Sequence, residues 1–182
     1  LNRTISSAFS PGSVWKGMMA AAGLAEGLIT PSTREFCGGS IFLGNRLFHC
    51  NGVHEQVNLQ KALTKSCNIY FYKLGHRLKI DKIMKWAERF GFGSPTGIDL
   101  PNEKRGLSPS PELMERLHGR PWYPADTISL SIGQGDLLVT PLQQAVYMAA
   151  IANGGKVVKP RLIKGIRNDD GSITPLTEPA YT

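Results

Sequence analysis

The most informative stretch of this 182-residue sequence is Ser10-Pro11-Gly12-Ser13-Val14-Trp15-Lys16. Pro11-Gly12 interrupts the chain, and the apolar spacing after Ser13 predicts a helix that continues to about residue 29. Serine and lysine three positions apart on a helix share one face, so the Ser13 hydroxyl and the Lys16 amine come within reach of each other. A lysine of lowered pKa can activate a serine, which is otherwise a poor nucleophile. Taken alone, however, the tetrad fits an N-cap serine beside a solvated lysine better.

A second polar motif, Ser66-Cys67-Asn68, follows Ser13 by 53 positions. It lies within a second predicted helical region, for which Asn58 is a good N-cap. The Ser66 hydroxyl could relay a proton, and the Asn68 amide could hold a substrate carbonyl. A polar turn or a helix kink would explain the same residues, so this motif does not identify a function by itself.

Helices outnumber strands in the rest of the chain, which predicts an α+β fold with an incomplete sheet. An irregular region is predicted at 30–57, with a short strand at 40–48, and a helix follows Asp81. Residues 94–127 contain six prolines and are predicted to form an ordered loop with a helical turn or two. The last predicted elements are a helix from Thr140-Pro141 to Asn153 and a strand at 157–166, followed by a turn at 169–171.

Composition and charge limit the class of protein. Hydrophobic residues make up 41% and charged residues 19%, which excludes wholesale disorder and collagen-like or coiled-coil classes. The net charge of +7 is spread thinly and predicts a solvated basic surface. No block of Lys and Arg is interleaved with aromatic residues, so we expect no nucleic-acid partner.

No apolar stretch approaches the ~20 residues of a membrane span, and the chain opens at Leu1 without a leader. We therefore expect a fragment whose membrane anchor lies outside these residues.

Further motifs accompany the first two in a fixed order. They are Gly91-Phe92-Gly93, Thr96-Gly97-Ile98-Asp99-Leu100, Pro121-Trp122-Tyr123 with Asp126-Thr127, Ile132-Gly133-Gln134-Gly135 and Thr140-Pro141-Leu142-Gln143. Together with the Ser13 and Ser66 motifs, this pattern resembles the class B penicillin-binding proteins of the elongation type. The matches run from about Asn2 to Pro160.

The resemblance implies a peptidoglycan D,D-transpeptidase that cross-links stem peptides. Ser13 would attack the penultimate D-alanine carbonyl, Lys16 would be the base, Ser66 the proton relay and Asn68 a ligand of the substrate amide. β-Lactams would acylate Ser13 because they mimic the D-Ala-D-Ala end. The implied fold is the penicilloyl serine transferase fold, represented over residues 1–182 mostly by its helical subdomain.

The resemblance also implies a location and partners. Relatives of the elongation type work on the periplasmic side of the inner membrane, with a glycosyltransferase and scaffold proteins of the rod-shape complex. Two alternatives use the same residues: a penicillin-binding sensor that acylates without turnover, and a zinc-stapled interaction module in which Ser13 is inactive.

One motif of the family is missing. Lys-Ser-Gly or Lys-Thr-Gly occurs nowhere in the 182 residues. In the family this segment supplies part of the oxyanion hole, which stabilises the developing charge. We expect it to lie beyond Thr182, and we expect the fragment alone to be inactive.

Three cysteines and two histidines lie within 31 residues, and four of these five residues form the pattern C-x12-C-x3-H-x12-C. Cys37, Cys50, His54 and Cys67 match a closed tetrahedral zinc site of the structural type. A Cys37–Cys50 disulfide with Cys67 left over, or a coincidence of a buried cysteine and a surface histidine, would also fit. Elongation-type relatives with a metal site near the Ser-x-Asn motif resemble this pattern and favour zinc. The metal would attach residues 30–57 to the helix carrying Ser66 and Asn68, without a catalytic role.

Overall fold

Seven α-helices and six short strands form the computed structural model, which describes residues 2–175. The helices are α1 (Arg3–Ser6), α2 (Lys16–Ala25), α3 (Leu59–Thr64), α4 (Asn68–Arg89), α5 (Pro111–His118), α6 (Pro124–Leu130) and α7 (Pro141–Ala152). The strands are β1 (Glu35–Cys37), β2 (Ser40–Leu43), β3 (Arg46–His49), β4 (Glu55–Val57), β5 (Gly165–Arg167) and β6 (Ile173–Pro175). This mixture confirms the expected α+β class.

The chain forms two units. The larger comprises Ser10–Ala87 and Leu107–Leu138, and the smaller comprises Leu1–Phe9, Glu88–Gly106 and Val139–Thr182. All the candidate site residues named above belong to the larger unit. None of the helices among residues 2–175 combines the length and the hydropathy that crossing a bilayer requires.

The helix predicted from Ser13 to about residue 29 is present but differs at both ends. It starts as a 3-10 turn over Gly12–Trp15 and becomes α-helical only at Lys16. It ends at Ala25, because Gly27 adopts φ +67° and the chain folds back so that the Leu28 and Ile29 N–H groups donate to the Gly23 carbonyl. This reversal buries Ile29 against the helix it has just left.

The second helical region is divided into two helices, so the Ser-x-Asn motif does not lie inside a helix. Asn58 caps α3 as predicted, since its side chain accepts a hydrogen bond from the Lys61 N–H. Ser66 then adopts φ +51°, which ends α3, and α4 begins at Asn68. A second break within α4, at Lys79 (φ +62°), precedes the helix predicted after Asp81.

Residues 30–57 contain four short strands rather than one. β1 pairs with β4, and β2 pairs with β3 in a hairpin, both antiparallel. The register places Cys37 opposite Glu55 and Ser40 opposite His49. Because Cys50 follows β3 and His54 precedes β4, the two ladders bring three of the predicted metal ligands to one end of this region.

The proline-rich segment contains α5 and α6, each with proline at its first turn and a capping interaction before it. The helical turns expected there are thus confirmed. The helix expected from Thr140-Pro141 is confirmed as α7, with Thr140 and Gln143 forming a capping box. The Gln143 side chain also donates to the Ser94 and Arg105 carbonyls, at 2.7 and 3.0 Å.

The strand predicted at 157–166 is wrong over most of its length. Only Gly165 and Ile166 of that range belong to a strand, β5, which pairs with β6. Pro160 lacks the backbone N–H that a ladder needs, which explains why the apolar pattern was misleading. The predicted turn at 169–171 is confirmed, since the Gly171 N–H donates to the Asn168 carbonyl.

Candidate functional site

Four polar side chains meet where the 3-10 turn approaches the start of α4. Ser13 lies in the turn, Lys16 is the first residue of α2, Ser66 lies between α3 and α4, and Asn68 is the first residue of α4. The Lys16 amine lies 3.2 Å from the Ser13 hydroxyl and 2.8 Å from the Ser66 hydroxyl. The two hydroxyls are 2.7 Å apart. The structure therefore brings all four residues of the two motifs into one hydrogen-bonded group.

The 3-10 turn explains the local half of this arrangement. With three residues per turn, side chains at i and i+3 lie directly above one another, which places the Ser13 hydroxyl over Lys16. Trp15 is fully buried and Lys16 is 2% exposed, whereas Ser13 is exposed. The nucleophile candidate is thus open to solvent, and its base candidate is enclosed.

The hydrogen bonds of Lys16 indicate how its neutral form would be oriented. Its amine donates to the Ser66 carbonyl at 2.8 Å and to the Asn68 Oδ1 at 2.6 Å, and both of these oxygens can only accept. A neutral amine has two N–H groups and one lone pair. Because the two acceptors use both N–H groups, the lone pair faces the hydroxyls of Ser13 and Ser66, as a general base requires.

The environment of Lys16 favours that neutral form. Burial lowers its pKa from 10.5 to about 8, although negative charge at Cys50 and Cys67 acts in the opposite direction. A general base works best when its pKa lies near the working pH. An ordinary solvated lysine would be almost entirely protonated there, so the enclosed position makes Lys16 a usable base.

The left-handed conformation of Ser66 has a clear consequence for this group. Such a conformation costs a non-glycine residue about 1–2 kcal/mol of backbone strain. It turns both the carbonyl and the hydroxyl of Ser66 toward the Lys16 amine. The strained backbone of Ser66 therefore positions the two oxygen atoms that contact Lys16.

A second cluster lies directly behind Ser66 and Asn68. The Sγ atoms of Cys37, Cys50 and Cys67 and a ring nitrogen of His54 all lie within 4.8 Å of one another. Cys37 and Cys67 are buried, and Cys50 and His54 are half-buried. All three cysteines are free. The four side chains could hold one metal ion, and the Cys37–Cys50 disulfide considered above is not formed.

The two clusters are linked through Asn68. Its backbone N–H donates to the Cys50 Sγ at 3.2 Å, and its side-chain Nδ2 donates to the His49 carbonyl at 3.5 Å. Cys67 lies between Ser66 and Asn68 in sequence, but its buried side chain joins the sulfur cluster. A change at the cysteines would therefore act on the start of α4, where Asn68 is held.

The Gly133-Gln134-Gly135 segment contacts the backbone at the site. The Gly12 N–H, directly before Ser13, donates to the Gly133 carbonyl at 2.9 Å. A Cβ atom at Gly133, which has φ +73°, would lie 2.3 Å from the Gly12 carbonyl oxygen. Gly133 thus allows this loop to approach the backbone that carries the nucleophile candidate.

Gly133→Ala is expected to lower the free energy of unfolding by about 2–5 kcal/mol, from backbone strain plus overpacking. It should also slow any reaction at Ser13, because Gly12 must move. Gly135→Ala is the matched control: its φ is +82°, but its Cβ would meet nothing closer than Ser129 at 3.8 Å. Urea unfolding of both variants measures the difference, and equal losses would contradict the role given to the Gly12 contact.

Comparisons with known proteins agree on one family. A family model described as "Penicillin binding protein transpeptidase domain" matches residues 1–180. The peptidoglycan D,D-transpeptidase MrdA of Acinetobacter baumannii is 39% identical over 168 residues, covering 90% of this chain and 25% of the relative. The chain thus spans about a quarter of the length of this curated relative.

Two solved structures are similar over most of the chain. PBP2 of Pseudomonas aeruginosa in complex with WCK 5153 has a TM-score of 0.87 and 36% identity, covering 98% of this chain and 41% of that one. The complex of PBP2 and MreC from Helicobacter pylori has a TM-score of 0.84 and 36% identity, covering 88% and 30%.

Proposed function

Because the chain belongs to the penicillin-binding protein transpeptidase domain family, we propose that it carries the acylation centre of a peptidoglycan D,D-transpeptidase. The likeness to the solved structures confirms the expected penicilloyl serine transferase fold. One observation carries the proposal: the enclosed Lys16 amine contacts both the Ser13 and the Ser66 hydroxyl. The substrates would be the stem peptides of peptidoglycan, and β-lactams would react with the same serine.

The acylation step follows from the hydrogen bonds. Neutral Lys16 takes the proton of Ser13 as its oxygen attacks the penultimate D-alanine carbonyl. The tetrahedral intermediate then collapses, the bond to the terminal D-alanine breaks, and an ester to Ser13 remains. The departing amine needs a proton, which the Ser66 hydroxyl can pass from Lys16 because it lies 2.8 Å from Nζ and 2.7 Å from the Ser13 oxygen.

Completion of the reaction reverses the proton flow. The amine of a neighbouring stem peptide attacks the ester carbonyl and loses its proton, and Ser13 recovers one through Lys16 and Ser66. The exposed position of Ser13 allows two bulky strands to approach. Asn68 would hold the substrate amide with its side-chain nitrogen while its oxygen accepts from Lys16.

Ser13→Ala is expected to abolish covalent labelling of the intact protein by fluorescent benzylpenicillin, since Ser13 is the exposed hydroxyl of the group, whereas Ser66 is half-buried. Ser10→Ala is a suitable control three residues earlier. Peptide mapping of the labelled protein should place the adduct on Ser13. Undiminished labelling of the Ser13→Ala protein would refute the proposal. Labelling without release of D-alanine from stem peptides would instead identify the sensor alternative.

The rate of acylation is expected to rise about tenfold per pH unit below pH 8 and to level off above it. The reason is that burial lowers the pKa of Lys16 to about 8, and only the neutral amine can accept the Ser13 proton. Stopped-flow acylation by benzylpenicillin between pH 6 and 9.5 measures this profile. A rate that is flat over this range would exclude Lys16 as the base.

We further propose that the cysteine and histidine cluster binds Zn²⁺. Zinc bonds of about 2.3 Å to sulfur and 2.0–2.1 Å to nitrogen give tetrahedral edges of roughly 3.8 Å between sulfurs and 3.6 Å between sulfur and nitrogen. The Cys50–Cys67 distance is 3.9 Å, and His54 Nδ1 lies 3.5 Å from Cys37 and 3.6 Å from Cys50. Four protein ligands would leave no open position, so the ion would be structural.

Partners and location are proposed from the similar proteins. The Helicobacter pylori relative was solved with MreC, and we propose that the intact protein binds a scaffold protein of that kind and a glycosyltransferase of the rod-shape complex. The periplasmic side of the inner membrane would be its place of action. Co-purification of the intact protein with these partners from cross-linked cells tests the assembly, and their absence would contradict it.

A further inference from the structure

A groove on the larger unit remains outside both clusters described above. It has a volume of about 450 Å³ and lies between the tip of the β2–β3 hairpin and the start of α6. Its lining includes Phe42 and Arg46 from the hairpin, His76 from α4, and Tyr123, Pro124 and Ile128. We call it the hairpin groove.

Exposed aromatic surface and positive charge characterise the hairpin groove. Phe42 is 67% exposed and Tyr123 is 50% exposed, although both are large apolar side chains. Arg120 lies 5.2 Å from the centroid of the Tyr123 ring and binds both carboxylate oxygens of Asp126. Arg46 lies close enough to Asp126 for its positive charge to act on that carboxylate. The described lining of the groove contains Arg46 and no carboxylate, so it suits an anionic ligand.

Two elements lead from the acylation centre to this groove. Asn68, Tyr72 and His76 follow one another at intervals of four residues along α4, which places them on neighbouring positions of one side. Eight residues of helix correspond to a rise of about 12 Å.

Strand β3 runs beside that side of α4. Its last residue, His49, accepts hydrogen bonds through its carbonyl from Asn68 and Tyr72. Phe48 packs on Tyr72 with ring centroids 5.5 Å apart, and Arg46 lines the groove. Tyr72 and Phe48 are buried, but Arg46, Leu47 and His49 of β3 are exposed, so the exposed part of this strand leads from Asn68 to the groove.

We propose that the hairpin groove binds the sugar-proximal, carboxylate-bearing part of the peptidoglycan strand whose peptide end reacts at Ser13, an inference that rests on the proposed function. A distance of about 12 Å corresponds to three or four extended peptide residues, which is the part of a stem peptide that precedes the reacting D-alanines. Arg46 would pair with a carboxylate of the strand. Phe42 and Tyr123 would supply the apolar faces against which a sugar ring packs.

The proposal separates two kinds of ligand. Benzylpenicillin occupies only the region around Ser13 and does not reach the groove. A disaccharide–tetrapeptide muropeptide has the sugar and the carboxylates but lacks the terminal D-alanine. Its binding to the penicillin-acylated intact protein therefore reports on the groove, whereas the acylation rate reports on the proposed function.

Arg46→Ala is expected to weaken muropeptide binding about tenfold, the effect of losing one charge-assisted hydrogen bond. Tyr123→Ala should weaken it as well. Arg116→Ala, which removes an exposed arginine of α5, is the matched control and should leave binding unchanged. All three variants should be acylated by benzylpenicillin at the rate of the unmodified protein. Isothermal titration with the muropeptide measures binding.

Equal muropeptide affinity in the unmodified and Arg46→Ala proteins would overturn the proposal. So would an equal loss in Arg46→Ala and Arg116→Ala, since that would indicate attraction to the basic surface as a whole. If no penicillin adduct forms on any of the proteins, the proposed function fails, and the muropeptide titration on the unacylated protein still decides whether the groove binds the strand.

Discussion

Lys16→Met is expected to slow acylation of the intact protein by benzylpenicillin by about 10³-fold, within the usual contribution of a general base. Methionine has a similar length and fits a buried position, but it cannot take the Ser13 proton. The substitution also removes the donor to the Ser66 carbonyl and the Asn68 Oδ1, so the start of α4 loses two hydrogen bonds. Stopped-flow kinetics with benzylpenicillin give the rate.

The control for this variant is Lys65→Met, which removes an exposed lysine next to Ser66. It should acylate at the normal rate. Circular dichroism of both proteins separates a chemical effect from misfolding. A Lys16→Met protein that folds and acylates within tenfold of the normal rate would contradict the assignment of Lys16 as the base.

Cys50→Ser is expected to reduce bound zinc from one ion per chain to well below one and to lower the free energy of unfolding by about 3 kcal/mol or more. A loss of that size corresponds to a fall in Tm of roughly 6–12 °C in a chain of this length. Acylation by benzylpenicillin should decline too, because the Cys50 Sγ accepts the Asn68 backbone N–H. Native mass spectrometry counts the zinc, and calorimetry gives the Tm.

His54→Gln should act in the same direction as Cys50→Ser, since it removes another ligand. His118→Gln is its control, because His118 is half exposed and pairs with Asp136 far from the cysteines in sequence. Full zinc occupancy together with an unchanged Tm in Cys50→Ser would exclude Cys50 as a ligand of a structural metal. If the Cys37–Cys50 disulfide formed instead, the unmodified protein would have a mass two units lower and would contain no zinc.

Short-range features of this protein were predictable because their causes lie within a few residues. The pairing of Ser13 with Lys16 depends on a spacing of three positions, and either a 3-10 turn or an α-helix brings such residues together. The caps at Asn58 and Thr140 likewise act within one helical turn. The grouping of cysteines and histidine was visible as a spacing, although the spacing alone left zinc, a disulfide and coincidence open.

Tertiary structure decided the features that depend on distant residues. Ser66 reaches Lys16 across 50 positions, and its left-handed conformation, which splits the expected helix, is maintained by contacts that no local propensity encodes. The four strands at 35–57 form by pairing with each other. Each is only three or four residues long, so the alternation of polar and apolar residues within it was too weak to predict a strand. The low pKa of Lys16 arises from burial, which is set by everything packed around the amine. The sequence alone was therefore enough to identify which residues form the site, whereas their geometry and the lowered pKa of Lys16 depend on the folded chain.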